Sequence, residues 1–156
     1  MTQKLKSLVV PETEGQAFWQ PGVKGNCITV KTSPWNIDKT KHTVFTHELP
    51  YGGEVKEHLH LNDDEIFICL DGEGCITIDG IQHPFEKHSI AFVGAGSKHK
   101  IQTLSKDPLK FVVISSPPGL EERFKLIGIP KLNINEEAPE AFTSEFAQQN
   151  THGVIR

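Results

Sequence analysis

The sequence predicts an all-β protein whose strands close into a barrel or a sandwich. The chain has 156 residues, the size of one domain. Ile, Val and Thr, whose branched side chains suit a pleated strand, total 35 residues, whereas Ala, the strongest helix former, totals 6. Between residues 26 and 116, short apolar runs recur at regular spacing, and turn residues bound each run.

Nine strands are predicted in this segment, each from its apolar pattern and from the turn that ends it. The turn-forming segments 50–53 and 71–74 each end a strand, and Asp79-Gly80 is the strongest hairpin signal in the chain. The predicted strands cover residues 26–32, 41–49, 55–61, 65–70, 75–78, 81–85, 89–93, 99–104 and 109–115.

The apolar pattern changes to a helical one after residue 118. Residues 119–127 place Leu120, Phe124 and Ile127 on one helical face, and a glycine and a proline follow as stop signals. A second, weaker helix is predicted over residues 138–149. We therefore divide the single domain into an N-terminal arm or edge strands (1–25), a barrel (26–116) and a C-terminal helical covering (117–156).

Composition excludes several classes of partner. The 20 acidic and 16 basic residues give a net charge of −4 and leave no basic stripe for nucleic acid. No run approaches the roughly 20 apolar residues of a membrane span, and the first ten residues lack the apolar core of a secretory signal. Cys27, Cys69 and Cys75 lack metal-finger spacing, and we interpret them as free thiols in a reducing compartment. We therefore expect a cytoplasmic protein.

A histidine-containing segment from Gly52 to Gly72 carries the candidate chemistry. His58 and His60 lie two residues apart in a predicted strand, where side chains at i and i+2 point to the same side, about 7 Å apart. On a helix the same spacing would separate them. A turn follows, which can return Glu65 beside the two histidines on the next strand.

His99 is the fourth candidate ligand. It begins a later predicted strand after Gly94 and Gly96, which let the backbone turn sharply. Three imidazoles and one carboxylate suit one divalent transition metal (Fe, Mn, Ni, Co, Cu or Zn) and disfavour Ca and Mg. Around a six-coordinate ion, four protein ligands leave two positions for a chelating substrate, or for a substrate and a small second reactant.

The spacing of these residues resembles the first motif of the cupin family. That motif has a glycine, five residues, a histidine, one residue, a histidine, four residues, a glutamate, six residues and a glycine. Gly52, His58, His60, Glu65 and Gly72 match it with all spacings intact.

The second cupin motif matches in part, and the resemblance covers about residues 40–116. Gly96 and His99 agree with the motif, whereas His88, Gly94 and Thr103 stand where the family usually has Gly, Pro and Asn. The departures leave the metal-ligating histidine in place. Residues 116–130 resemble the short helical tail of small single-domain cupins similar to quercetin dioxygenases.

The resemblance implies a cupin jelly-roll barrel with the metal inside it, short C-terminal helices and a homodimer. It also implies a metal-dependent enzyme for a small oxygenated organic substrate, with a dioxygenase-like reaction as the first hypothesis. Within the same hypothesis, native zinc would make isomerase, cyclase or lyase chemistry the expectation, because zinc has no redox chemistry of its own. The second hypothesis is a binding module that senses or carries a small ligand without turnover, and the third is a structural cupin with a vestigial ion.

Two residues are candidates for proton transfer. His47 lies in a predicted strand between Phe45 and Leu49, and its imidazole would line the pocket if those residues face inward. The alternative is an edge histidine held by hydrogen bonds. Glu65 would act as a base by leaving the metal during turnover.

The predicted substrate pocket follows from strand parity. Phe67 and Cys69 share the parity of Glu65, and Ile101 and Thr103 share that of His99, so these side chains should point inward. Cys69 would act as a small apolar filler near the metal. The full predicted pocket consists of Phe45, Phe67, Cys69, Ile101, Thr103, Phe111 and Val113.

Overall fold

The computed structural model describes residues 3–144 and 154–155, which form twelve strands and one helix. The chain is mostly β, and the predicted fold class is confirmed. The elements are β1 Gln16–Trp19, β2 Cys27–Thr32, β3 Thr43–Leu49, β4 Glu54–His60, β5 Asp64–Asp71, β6 Glu73–Ile78, β7 Ile81–Glu86, β8 Ile90–Val93, β9 His99–Thr103, β10 Leu109–Ser116, α1 Leu120–Ile127, β11 Ile129–Lys131 and β12 Val154–Ile155.

Two sheets face each other as a jelly-roll barrel. One has seven strands in the order β11-β1-β2-β3-β10-β5-β8, and the other has five in the order β12-β4-β9-β6-β7. Neighbouring strands are antiparallel except for β12 and β4, which are parallel. Side chains of both sheets meet in the core, where the rings of Phe85 on β7 and Phe111 on β10 lie 5.9 Å apart between centroids.

Alternation of side chains explains why these segments form half-buried strands. On β10, Leu109, Phe111, Val113 and Ser115 are at most 1% exposed, and the residues between them are more open. β3 shows the same alternation from Thr43 to Leu49. Each of the nine predicted strands is present, with ends that differ by at most a few residues.

The predicted hairpin between β6 and β7 is present and has the expected turn. Ile78 pairs with Ile81, so two residues form the loop. Asp79 has φ +48° and Gly80 has φ +83°, the paired positive values of a turn whose twist matches the strands.

Helix α1 covers one side of the barrel, as its apolar face predicts. Leu120 is 5% and Phe124 8% exposed, and the Phe124 ring lies 4.6 Å from that of Phe45 on β3. Gly119 and Gly128 flank the helix as its caps. No described helix is both long enough and apolar enough to cross a membrane.

The second predicted helix is wrong over the part that the structure describes. Residues 138–144 are not helical, and residues 145–149 lie outside the described residues. Pro139 disfavours helical geometry in the residue before it. The carbonyl of Phe142 instead accepts a hydrogen bond from the Gly22 amide at 2.9 Å, which holds this segment in an isolated β-bridge.

Two further expectations concern the first residues and the cysteines. Residues 16–19 of the predicted arm form β1, which pairs with β2 and β11 inside the seven-stranded sheet. Cys27, Cys69 and Cys75 are buried free thiols, as predicted. The homodimer is a property of two chains and stays a prediction.

Candidate metal centre

The local geometry of β4 brings His58 and His60 to the inner side of the barrel. Val55 pairs with Ile101 and His58 pairs with His99, so three steps along β4 match two along β9. This β-bulge turns both Val55 and His58 inward although they are an odd number of residues apart. His60 follows two residues after His58 and shares its side, as strand parity requires.

Neighbouring elements bring Glu65 and His99 to the same place. Glu65 is the second residue of β5, and His99 is the first residue of β9. The left-handed Gly96 (φ +87°) lets the preceding loop turn back, and its amide donates a hydrogen bond to the His60 carbonyl at 2.7 Å. One ligand atom from each of His58, His60, Glu65 and His99 lies within 4.8 Å of the others.

Three residues of the cluster are buried, His58 is half-buried, and the atoms with which His60, Glu65 and His99 face one another lack hydrogen-bond partners. His60 is 3%, Glu65 3% and His99 1% exposed. His60 Nε2 lies 3.3 Å and His99 Nε2 2.9 Å from Glu65 Oε2, yet none of these three atoms has an aligned hydrogen bond. Buried polar atoms are normally paired, and a cation at the common point would satisfy all of them. The donor set therefore fits a divalent transition metal.

Backbone contacts set the tautomers of two of the imidazoles. His58 Nδ1 lies 2.6 Å from the Lys56 carbonyl, and His99 Nδ1 lies 3.1 Å from the Ser97 carbonyl. A carbonyl oxygen only accepts, so each Nδ1 donates its proton. A ring that carries its proton on Nδ1 presents the Nε2 lone pair, which is the form that ligates a metal.

The charges of the cluster favour cation binding at neutral pH. Burial, together with a smaller contribution from the neighbouring His99, lowers the pKa of His58 to about 4. Burial alone would raise the pKa of Glu65, but the imidazoles of His60 and His99 beside it lower the pKa to about 2. His58 is therefore neutral and Glu65 ionised near pH 7, as metal ligands must be.

The cluster lies in the wall of a cavity of about 530 Å³. Phe67 contacts the cluster directly, since its ring centroid lies 5.8 Å from that of His99. The predicted pocket residues that line the cavity are Phe45, Phe67, Ile101, Phe111 and Val113.

Cys69 and Thr103 are not among the described residues that line the cavity. Both are buried, at 1% and 5% exposure. Each lies four residues beyond a metal-ligand candidate, or about 13 Å along its strand. Thr103 Oγ1 donates to the Leu49 carbonyl at 2.8 Å. Parity therefore predicts the side to which each residue points but not its depth in the barrel.

His47 lines the cavity and is held in one orientation. Its Nε2 lies 2.6 Å from Asn26 Oδ1, and Asn26 Nδ2 donates to the Pro21 carbonyl at 2.9 Å. Oδ1 is therefore an acceptor, and His47 donates to it through Nε2–H. Burial lowers the pKa of His47 to about 3, so the ring is neutral near pH 7. Proton transfer by His47 stays a prediction.

Burial of neutral His47 should make the protein less stable in acid. A histidine whose pKa falls from 6.5 to about 3 on folding takes up its proton more readily in the unfolded chain. The unfolding free energy therefore falls as the pH drops from about 6.5 toward 3, and this group removes about 2 kcal/mol between pH 7 and 5. Denaturant unfolding of metal-free His47→Gln should show a correspondingly shallower pH slope than wild type, and equal slopes would contradict this account.

Several cavity residues were missing from the sequence-based prediction. Asn26 lies in the loop before β2, and it contacts His47 only because the fold brings these two residues together. Arg123 on α1 lines the cavity beside Leu120 and Phe124, and burial lowers the pKa of its guanidinium. The signal for Arg123 was present, because it lies three residues after Leu120 on the same helical face.

Comparison with known proteins agrees with this architecture. The family model of the Cupin domain matches residues 45–115, which include all four clustered residues. An uncharacterized protein of Methanocaldococcus jannaschii is 28% identical over 93 residues, which are 59% of this chain and 74% of that protein. The oxalate-binding protein of Thermotoga maritima is 30% identical over 67 residues, which are 43% of this chain and 55% of that protein.

Solved structures share the fold. The crystal structure of a predicted oxalate decarboxylase from Thermotoga maritima superposes with a TM-score of 0.61 at 22% identity, over 70% of this chain and 99% of that chain. At this identity the likeness shows the fold alone. The barrel, the four-residue cluster and the matching family model lead to one conclusion: residues 45–115 form a cupin domain.

Proposed function

We propose that this protein is a metal-dependent enzyme that acts on a small oxygenated organic anion. The observation that carries the proposal is the convergence of His58, His60, Glu65 and His99, with buried unpartnered ligand atoms, on the wall of a cavity of about 530 Å³. These residues would hold one divalent transition metal, namely Fe, Mn, Ni, Co, Cu or Zn. Such an ion polarises a bound oxygen atom or, if redox-active, activates oxygen.

The cavity wall supports a compact, partly apolar substrate. The rings of Phe45, Phe67 and Phe111 face the cavity together with aliphatic side chains, and they would exclude water from the reacting groups. The volume suits a small organic molecule rather than a polymer segment. The chain's contribution is therefore to orient the substrate and keep it dry beside the cluster.

Arg123 supports a negatively charged substrate. Its half-buried guanidinium and the exposed Lys56 contribute positive charges to a wall that also carries Glu54 and Glu57, and a guanidinium binds a carboxylate through paired hydrogen bonds. The oxalate-binding protein of Thermotoga maritima, which is 30% identical over 67 residues, carries oxalate in its name, and this supports a small carboxylate for this chain as well.

We propose a dioxygenase-like reaction as the first candidate. Four protein ligands leave room around a six-coordinate ion for a substrate oxygen and a second small reactant, which an oxygen-dependent reaction needs. With zinc as the native ion, isomerase, cyclase or lyase chemistry would replace it.

Ligand binding without turnover is the second candidate, and the state of His47 favours it. An acid–base catalyst works best with a pKa near the working pH, whereas burial lowers the pKa of His47 to about 3. Its Nε2–H is also engaged by Asn26. Of the two candidate bases, His47 and Glu65, only Glu65 would then remain, and it belongs to the metal cluster.

A metal and substrate screen tests the proposal. Metal-free protein is loaded separately with Fe, Mn, Ni, Co, Cu and Zn, and oxygen uptake and product formation are measured with small carboxylates, diketones and flavonol-like compounds. We expect turnover with at least one metal, and a roughly tenfold or greater rise in KM in Arg123→Gln, because the substrate loses a charge-assisted hydrogen bond.

The controls separate the candidates. Lys125→Gln removes a positive charge from the same helix at an exposed position and should leave KM unchanged. Binding of a carboxylate without product for any metal would favour the ligand-binding candidate. Product without oxygen uptake would exclude the dioxygenase. Equal KM values in Arg123→Gln and wild type would contradict the anionic substrate.

A further inference from the structure

The three histidines of the cluster differ in what holds the nitrogen that faces away from it. His58 and His99 each direct Nδ1 to the backbone carbonyl two residues earlier in the chain, at 2.6 Å and 3.1 Å. His60 has no such contact, and its Nδ1 is buried without a hydrogen-bond partner. One of three equivalent ligands therefore lacks the contact that fixes its tautomer and ring orientation.

A carboxylate stands opposite that nitrogen. Asp63 Oδ2 lies 3.9 Å from His60 Nδ1, and the Asp63 side chain is 15% exposed. The opposite ring nitrogen, Nε2, faces Glu65 at 3.3 Å, so the imidazole lies between the cluster and Asp63. Asp63 belongs to the turn between β4 and β5, three residues after His60.

Hydrogen bonds around His60 restrict how the distance between Asp63 Oδ2 and His60 Nδ1 can shorten. The His60 carbonyl accepts the Gly96 amide at 2.7 Å, and Asp64 Oδ1 accepts the Ala95 amide at 3.0 Å. Both ends of the turn are thus tied to the loop before His99. A shift of about 1 Å by the Asp63 side chain would bring its oxygen within hydrogen-bond distance of Nδ1.

We propose that Asp63 is the positioning residue of the metal centre and accepts the Nδ1–H of His60 when a metal is bound. The proposal rests on the proposed metal function of the cluster. A neutral histidine that ligates through Nε2 carries its proton on Nδ1, and a carboxylate acceptor there fixes the ring and makes Nε2 a stronger donor to the metal. Removal of such an acceptor typically costs roughly 10- to 100-fold in metal affinity.

Two substitutions distinguish this hydrogen bond from a general effect of charge. Asp63→Ala removes both the acceptor and the charge, whereas Asp63→Asn removes the charge and keeps an oxygen that can accept. Asp71→Asn removes a negative charge from an exposed position on β5, and Asn62→Ala alters the same turn without touching the carboxylate. The last two are matched controls.

The experiment measures zinc affinity by competition with a chromophoric chelator, and records the exchangeable imidazole N–H protons of the zinc-loaded proteins by NMR. Wild type should show three slowly exchanging Nδ1–H protons. Asp63→Ala should bind zinc roughly 10- to 100-fold more weakly and lose protection of the His60 proton, with those of His58 and His99 unchanged. Asp63→Asn should lose less affinity and keep the proton, and both controls should match wild type within twofold.

Other outcomes overturn the proposal in identifiable ways. If wild type binds zinc and Asp63→Ala matches it in affinity and in its three protons, the positioning role is wrong and the metal site stands. If Asp63→Ala binds zinc more weakly but its His60 proton is still protected from exchange, Asp63 acts only through its charge, and the proposal is also wrong. If wild type binds no divalent metal, the proposed function fails and this inference fails with it.

Discussion

Replacing His99 with alanine is expected to weaken zinc binding by roughly a hundredfold to a thousandfold. His99 is 1% exposed, and its Nε2 lies 2.9 Å from Glu65 Oε2 at the centre of the cluster. A four-ligand zinc site contributes about 10–16 kcal/mol, so one ligand in four corresponds to a loss of roughly a hundredfold to a thousandfold in affinity. Elemental analysis after gel filtration, together with calorimetric titration of zinc, measures the effect.

Exposed histidines provide the control for this substitution. His83 and His88 lie on the surface, outside the cluster, and alanine at either position should leave metal content unchanged. Metal-dependent protection against heat should be much smaller in His99→Ala than in wild type and unchanged in the controls, because an ion that binds the folded state stabilises it in proportion to its affinity. A His58→Ala, His99→Ala double variant that still held one metal per chain would refute the site.

The second large effect is expected at Glu121. This carboxylate is 2% exposed, and its Oε2 accepts hydrogen bonds from Thr43 Oγ1 at 2.5 Å and from the Gly119 amide at 2.8 Å. Thr43 is itself fully buried. Glu121→Ala leaves both donors without their charged acceptor, which should lower the unfolding free energy by about 3–5 kcal/mol, as measured by denaturant unfolding.

Glu122 offers a matched control one residue away. It is exposed and accepts a hydrogen bond from Trp35 Nε1 at 2.6 Å. Glu122→Ala should cost less than about 1 kcal/mol, because water replaces the lost contact. Glu121 also ties α1 to β3, and α1 carries Arg123 into the cavity wall, so Glu121→Ala should weaken substrate binding as well. Equal losses of unfolding free energy in Glu121→Ala and Glu122→Ala would show that the buried hydrogen bonds contribute no more than the exposed one.

The fold was predictable because local pattern and burial agree along most of the barrel. Alternating residues on β3 and β10 point into the core, as their apolar periodicity requires. The Asp79-Gly80 turn has one low-energy solution for a two-residue hairpin, so sequence alone predicts it. The prediction of a second C-terminal helix was wrong over residues 138–144, because a tertiary contact of Phe142 with Gly22 outweighs a weak local preference for helix.

The metal cluster was predictable because strand spacing carries most of its geometry. His58 and His60 share a side of β4 by parity, and Glu65 follows one turn later. The bulge between Val55 and His58 was not predictable, since no single residue announces it. The position of a side chain along the length of the barrel was also not predictable from the sequence. Cys69 points to the inner side of β5, but it is not among the described residues that line the cavity.

Two residues that sequence analysis missed make hydrogen bonds with residues far from them along the chain. Asn26 orients His47 from 21 positions away, and Glu121 accepts from Thr43 across 78 positions. Asp63 lies only three residues after His60, but its orientation toward His60 Nδ1 depends on how the turn is held against the loop before His99. Such contacts depend on tertiary packing that no local pattern encodes.

Anomalous X-ray diffraction from crystals of the metal-loaded protein tests the central claim most directly. The account predicts one strong peak per chain at the absorption edge of the metal, about 2.0–2.2 Å from a nitrogen of His58, His60 and His99 and from an oxygen of Glu65. A map with no peak among these four side chains, or with the metal at another position on the chain, would contradict it.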